Sequence, residues 1–209
     1  MDAATSPSPS ARLLRFSRAE RWVHRSIAVL IVVLIATGAA LYFPAISVLV
    51  GNRPLVSDIH WIAGFALPIP LVLALASKTF RKDSGELNRF SPDDWKWLRS
   101  KDRRSGRIPV GKFNAGQKLN AAFSLGAIII MLATGSIMFF SSLFPDDIRT
   151  GATFVHDWLT LLIIVVVAGH TYMAMKDAEA RVGMRTGYVA QQWAIREHPE
   201  WEAPTEERR

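Results

Sequence analysis

No cysteine occurs in this 209-residue chain. That absence excludes disulfides, thiolate zinc sites, iron–sulfur ligation by this chain and covalent attachment of a c-type haem. Any redox centre held here must use nitrogen ligands. Charge is scarce in particular places: apolar runs at about 22–43, 56–77, 119–140 and 154–175 carry almost no charge. Each is close to the roughly 20 residues needed to cross a hydrocarbon layer of about 30 Å. They predict an all-α membrane protein, a bundle of four transmembrane helices. A cleaved signal peptide is not expected, because the first run is too long, begins too far into the chain and lacks a small-x-small exit. No internal repeat is found, and no stretch is long enough for a sizeable domain outside the spans.

The charge that is present sorts by topology. The formal net charge is +7, yet of the 25 Lys and Arg residues only Arg53 and Arg149 fall in the loops after spans one and three. The remainder lie before or just inside span one, between spans two and three, or after span four. The positive-inside rule then puts both termini in the cytoplasm, so the basic balance is an orientation signal and nucleic acid is not expected as a partner. This reading divides the chain into a disordered tail over 1–11, a four-helix domain over 12–193 and a charged cytoplasmic tail over 194–209.

Local signals refine the picture. Arg12, Arg15, Arg18, Arg21 and Arg25 recur every three or four residues, which predicts an amphipathic lead into span one. Pro68 and Pro70 predict a break within span two, since each removes a backbone donor. Ser91-Pro92-Asp93-Asp94 reads as a helix N-cap with acids in the first turn, and Phe90 and Trp95 are placed for a hydrophobic staple, so a short cytoplasmic surface helix is expected there. Gly126 and Gly135 read as packing positions of span three, and Gly183 and Gly187 as breaks in a helical segment after span four.

Five histidines occur, and four lie at span ends. His156 and His170 are fourteen residues apart in span four, which is about 21 Å along a helix with the side chains within roughly 40° of one another. With the orientation set by charge, His24 and His170 share the inner depth, and His60 and His156 the outer depth. Each pair comes from two helices, as two axial imidazoles on one porphyrin iron require. Zinc is the weaker alternative, because only Asp157 stands near either pair as a further ligand. Gly38, fourteen residues after His24, is read either as facing the outer cofactor or as simple helix packing. His198 is read as a surface residue of the tail.

The segments Glu20-Arg-Trp-Val-His24 to Phe43-Pro44, Asp58-Ile-His60, Gly111-Lys-Phe-Asn-Ala-Gly-Gln-Lys118, Gly169-His-Thr-Tyr-Met-Ala174 and Trp193 to His198-Pro-Glu-Trp201 resemble the gamma subunit of respiratory formate dehydrogenase, a di-haem cytochrome b membrane anchor. The resemblance implies His24, His60, His156 and His170 as ligands of two haem b irons. It implies partners as well: an iron–sulfur beta subunit and a molybdenum or tungsten alpha subunit that oxidises formate. Electrons would enter at the outer haem, cross to the inner one and leave to menaquinone or ubiquinone near the cytoplasmic face. The likeness puts quinone beside the inner haem, where Asn114, Gly116 and Gln117 could hydrogen-bond or admit it and His170 could donate its second ring N–H; capping of span three is the competing role for Asn114. A hydrogenase cytochrome b, a stand-alone quinone-linked cytochrome b and a haem-free anchor remain as other readings.

Overall fold

The computed structural model describes residues 11–103 and 107–201. Of the expected tails over 1–11 and 194–209, residues 1–10 and 202–209 lie outside the described residues. Ten helices, one 3-10 turn and two short strands are present among the described residues. The chain divides into two compact units, one made of Trp22–Ala76 and Phe123–His170, the other of Met1–Arg21, Ser77–Ala122 and Thr171–Arg209.

Four helical segments are long and apolar enough to cross a membrane: Arg18–Tyr42, Arg53–Ala74, Ala115–Phe139 and Asp146–Lys176. The first is α1 (Arg18–Tyr42). A short apolar helix follows it, α2 (Pro44–Val50), and ends at Gly51 with φ 72°, a left-handed turn that glycine adopts without strain. Helix α3 (Arg53–Ala66) starts at Asn52, whose side chain accepts from the Leu55 N–H. Arg53 also donates to the Leu41 carbonyl at 2.9 Å, satisfying an orphan acceptor at the end of α1.

The predicted break in span two is present. Helix α3 stops at Ala66 and α4 (Ile69–Ala74) begins after Pro68. Helix α7 (Ala115–Phe139) and helix α8 (Asp146–Lys176) complete the set, with a 3-10 turn at Ser141–Leu143 between them. Within this unit an aromatic cluster ties α3 to the end of α7: Trp61 and Phe65 lie 5.1 and 5.7 Å from the Phe139 ring. Many apolar side chains on these helices are exposed, such as Val29, Val32, Ile129 and Val165. Hydrocarbon is the environment that suits them.

In the other unit the sequence reading needs several corrections. The basic lead Arg12–Arg25 is not one amphipathic helix. Arg12–Leu14 forms strand β1, antiparallel to β2 (Tyr188–Ala190), with Leu13 opposite Val189. The helix begins only at Arg18, because Ser17 and Glu20 close a reciprocal cap: the Ser17 N–H donates to Glu20 at 2.7 Å and the Glu20 N–H to the Ser17 hydroxyl at 3.3 Å. Between spans two and three there are two helices, α5 (Lys78–Leu87) as well as the expected α6 (Pro92–Arg99). The α6 capping box of Ser91 and Asp94 forms as read, and Phe90 meets Trp95 at 5.4 Å.

Helix α9 (Ala178–Thr186) runs through Gly183 without a break. A Cβ at Gly183 would stand 2.7 Å from Val189 Cγ1, so glycine is there to let β2 close on the helix. Helix α10 (Gln191–Glu197) passes through the expected domain boundary at 193/194. Val189, fully buried, packs with Trp193 and Ala194 as the core of this unit.

His198 is no surface residue. It is 3 % exposed, and its Nδ1 lies 2.7 Å from the Gly111 carbonyl. The ring stacks on Trp193 at 5.0 Å. Next to it Arg15, 2 % exposed, sits over the Trp193 and Trp201 rings at 4.6 and 5.4 Å and donates to the Lys112 carbonyl at 2.8 Å. Burial lowers the Arg15 pKa to about 10, against the opposing pull of Asp177 and Glu20.

Candidate functional site

Four of the five histidines fall in the unit built from Trp22–Ala76 and Phe123–His170, and they meet in pairs. His24 of α1 faces His170 of α8 with ring centroids 6.1 Å apart. His60 of α3 faces His156 of α8 with centroids 6.3 Å apart. These are the pairs expected from depth alone. The rings are inclined at 48° in the first pair and 61° in the second, so neither is a face-to-face stack.

That spacing has a chemical meaning. A first-row metal ion bound at roughly 2 Å by one nitrogen of each ring, with each nitrogen a little over 1 Å from its ring centre, sets the two centroids about 6 Å apart. Both pairs match it. Among the described residues no group of three or more His, Cys, Asp or Glu side chains could hold a metal ion. Each pair therefore offers two imidazoles and no closed tetrahedral shell, a set that would fit a haem iron better than structural zinc.

The ring nitrogens of His60 and His156 are already assigned. Thr37 of α1 lies 2.8 Å from His60 Nδ1, and Thr134 of α7 lies 3.0 Å from His156 Nδ1. Nδ1 is thus engaged at both rings and Nε2 remains as the nitrogen available to a metal, the usual division for a ligating imidazole. The next residue in each case is a glycine. A Cβ at Gly38 would lie 3.4 Å from His60 Cε1, and one at Gly135 would lie 3.5 Å from His156 Cε1. These are ordinary packing distances, so Gly135 is a packing position as read and both it and Gly38 face a histidine.

Neither threonine is among the residues singled out from sequence. A signal was there: Ala36-Thr37-Gly38 in span one recurs as Ala133-Thr134-Gly135 in span three, and the threonines precede their histidines by 23 and 22 residues. A short repeat does exist, contrary to expectation. It is visible only when the tripeptide is tied to the histidine one helix later.

Asn114, Gly116 and Gln117 belong to the other unit and open α7. The Asn114 carbonyl oxygen accepts from the Gln117 N–H at 3.0 Å, and the Gln117 side-chain oxygen accepts from the Asn114 N–H at 3.0 Å. This is a reciprocal N-cap, the competing role foreseen for Asn114. It uses both side-chain oxygens and leaves both amide NH2 groups as donors. Trp97 lies against Gly116, where a Cβ would meet the indole at 3.4 Å and the Asn114 oxygen at 3.3 Å. Beside this turn Lys118 pairs with the buried Asp94 at 2.7 Å. Burial works to raise the Asp94 pKa, but the bonds from Lys118 and Ser91 outweigh it and carry the carboxyl below its usual range.

The sequence matches the family described as prokaryotic cytochrome b561 over residues 15–182. It is 24% identical over 205 residues to the nitrate-inducible formate dehydrogenase cytochrome b556(Fdn) subunit of Escherichia coli, covering 93% of this chain and 92% of that protein. The formate dehydrogenase cytochrome b556 subunit of Haemophilus influenzae is also 24% identical over 205 residues, covering 93% of this chain and 84% of its own. A further Escherichia coli relative, the formate dehydrogenase cytochrome b556(fdo) subunit, is 23% identical over 198 residues, with 90% and 91% covered.

Proposed function

The chain belongs to the prokaryotic cytochrome b561 family, and from that membership we propose that it is the di-haem cytochrome b subunit of a membrane-bound formate dehydrogenase complex. Its task is to carry electrons from an iron–sulfur subunit on the outer face to a quinone reduced near the cytoplasmic face. The observation that supports this most directly is the two histidine pairs, at 6.1 and 6.3 Å, each drawn from two helices. His24 and His170 hold one haem b, and His60 and His156 the other. Haem b supplies a reversible one-electron centre at each depth.

The remaining roles fall to the chain's own side chains. Helix α8 holds His156 and His170 about 21 Å apart along one axis. At the start of α7, the amide NH2 groups of Asn114 and Gln117 donate to a quinone carbonyl while their oxygens cap the helix. Formate chemistry belongs to a separate molybdenum or tungsten subunit, since this chain has no cysteine for clusters. The formate dehydrogenase names of its relatives favour formate over hydrogen as the upstream donor.

The test is a haem count and a reduced-minus-oxidised spectrum on the purified chain and two variants. Two b haems are expected in the parent. His156→Ala removes the haem shared with His60, and His24→Ala the one shared with His170, so each variant keeps one. Unchanged haem content in either variant would overturn the pairing, and a parent without haem would leave only a helical anchor.

A further inference from the structure

We propose that Thr37 and Thr134 are positioning residues for the His60/His156 pair, holding each imidazole in the Nδ1–H form and lowering the reduction potential of the haem bound there. The inference rests on the haem reading above and goes beyond it by naming groups that touch the histidines and not the iron.

The argument is one of proton inventory. The Thr37 hydroxyl stands 2.7 Å from the Val33 carbonyl and 3.3 Å from that of Leu34. A hydroxyl has one hydrogen, and it is spent on the backbone turn below. The same oxygen can then only accept from His60 Nδ1 at 2.8 Å. Thr134 repeats the pattern, at 2.8 Å from the Ile130 carbonyl, 3.3 Å from that of Met131 and 3.0 Å from His156 Nδ1. Both rings must therefore carry their proton on Nδ1 and keep the Nε2 lone pair for a metal.

The hydroxyls are also rigid. Threonine is stiff at χ1 because of its branched Cβ, and the back-bond to the helix holds the oxygen still. Thr134 is buried as well. Each ring edge also packs against the helix at the glycine that follows its threonine. The device is duplicated, with one copy on α1 acting on α3 and one on α7 acting on α8.

The electronic consequence has a definite sign. A hydrogen bond from Nδ1–H makes an imidazole a stronger electron donor through Nε2, which stabilises ferric over ferrous iron. Two such bonds on one iron act in the same direction. Removing either should raise the potential of that haem, and the haem on His24 and His170, touched by neither threonine, serves as the reference.

The experiment is a potentiometric titration with haem count on the full chain in its own membranes, for Thr37→Val, Thr134→Val, the double variant and Thr37→Ser. Ser136→Ala is the control, because the Ser136 hydroxyl bonds only to its own helix, at 2.7 Å from the Leu132 carbonyl. Each valine variant is expected to move the same one of two reduction waves to more positive potential, the double variant further, and the other wave not at all. Thr37→Ser is expected to keep the parent haem content and potential even if a valine variant loses haem. Unmoved waves, movement of different waves by the two valines, a serine variant that behaves like valine, or an equal shift in Ser136→Ala would each overturn the inference. A parent with no haem waves would instead overturn the haem reading on which it rests.

Discussion

At the scale of single residues, the chain's most perturbed histidine outside the spans is His198. Burial, and then the nearby Arg15 guanidinium, lower its pKa to about 3 despite the bond to the Gly111 carbonyl. In the unfolded chain the same ring titrates near 6.5. Between these values the unfolded state binds a proton that the folded state refuses, so stability is complete above about pH 6.5 and falls as pH drops toward 3. A shift of that size corresponds to on the order of 5 kcal/mol between the two protonation states. The thermal midpoint of the detergent-purified protein is expected to fall between pH 7 and pH 5, and to fall less in His198→Gln, which can still donate to Gly111. An equally steep fall in that variant would show that other groups set the acid sensitivity.

At the scale of elements, the start of α7 combines a structural and a chemical role. The Asn114 oxygen caps the helix, and its NH2 group is the proposed quinone donor. The two are separable by substitution. Asn114→Asp keeps an acceptor and adds negative charge at a helix N-terminus, where it is favourable, but it removes the donor. Asn114→Leu removes both and should lower stability by about 1 kcal/mol. Both variants are expected to keep haem reduction by the upstream donor and to lose haem reoxidation by added quinone, while only the leucine variant shows a lower thermal midpoint. Normal reoxidation in Asn114→Asp would leave Asn114 as a cap alone.

At the scale of the whole molecule, orientation decides what electron transfer accomplishes. Under the proposed orientation, with both termini in the cytoplasm, quinol formation near that face would draw its protons from the cytoplasm while electrons come from outside, so turnover would charge the membrane. The charge asymmetry is the physical basis for that proposal: of the Lys and Arg residues only Arg53 and Arg149 fall in the loops after spans one and three. A reporter that is active only in the cytoplasm, fused to the C-terminus, is expected to be active. A reporter that folds only outside, inserted near Gly51, is expected to be active too. The reverse pattern would invert the topology, and with it the face on which quinol is made.

Much of this protein is determined by sequence alone. Spans are legible because hydrocarbon demands about 20 apolar residues, and the histidine pairs because helical rise turns residue number into depth. The break at Pro68 and Pro70 and the Ser91 cap are equally local, since each depends on neighbours a few residues away. Tertiary structure decided the rest, and the reason is separation along the chain. Arg12–Leu14 becomes a strand only because Tyr188–Ala190 lies beside it. His198 is buried because Gly111 supplies its acceptor and Trp193 its stacking partner. The partners of His60 and His156 are hydroxyls one span earlier, and no periodicity within a single helix can reveal a contact made between two.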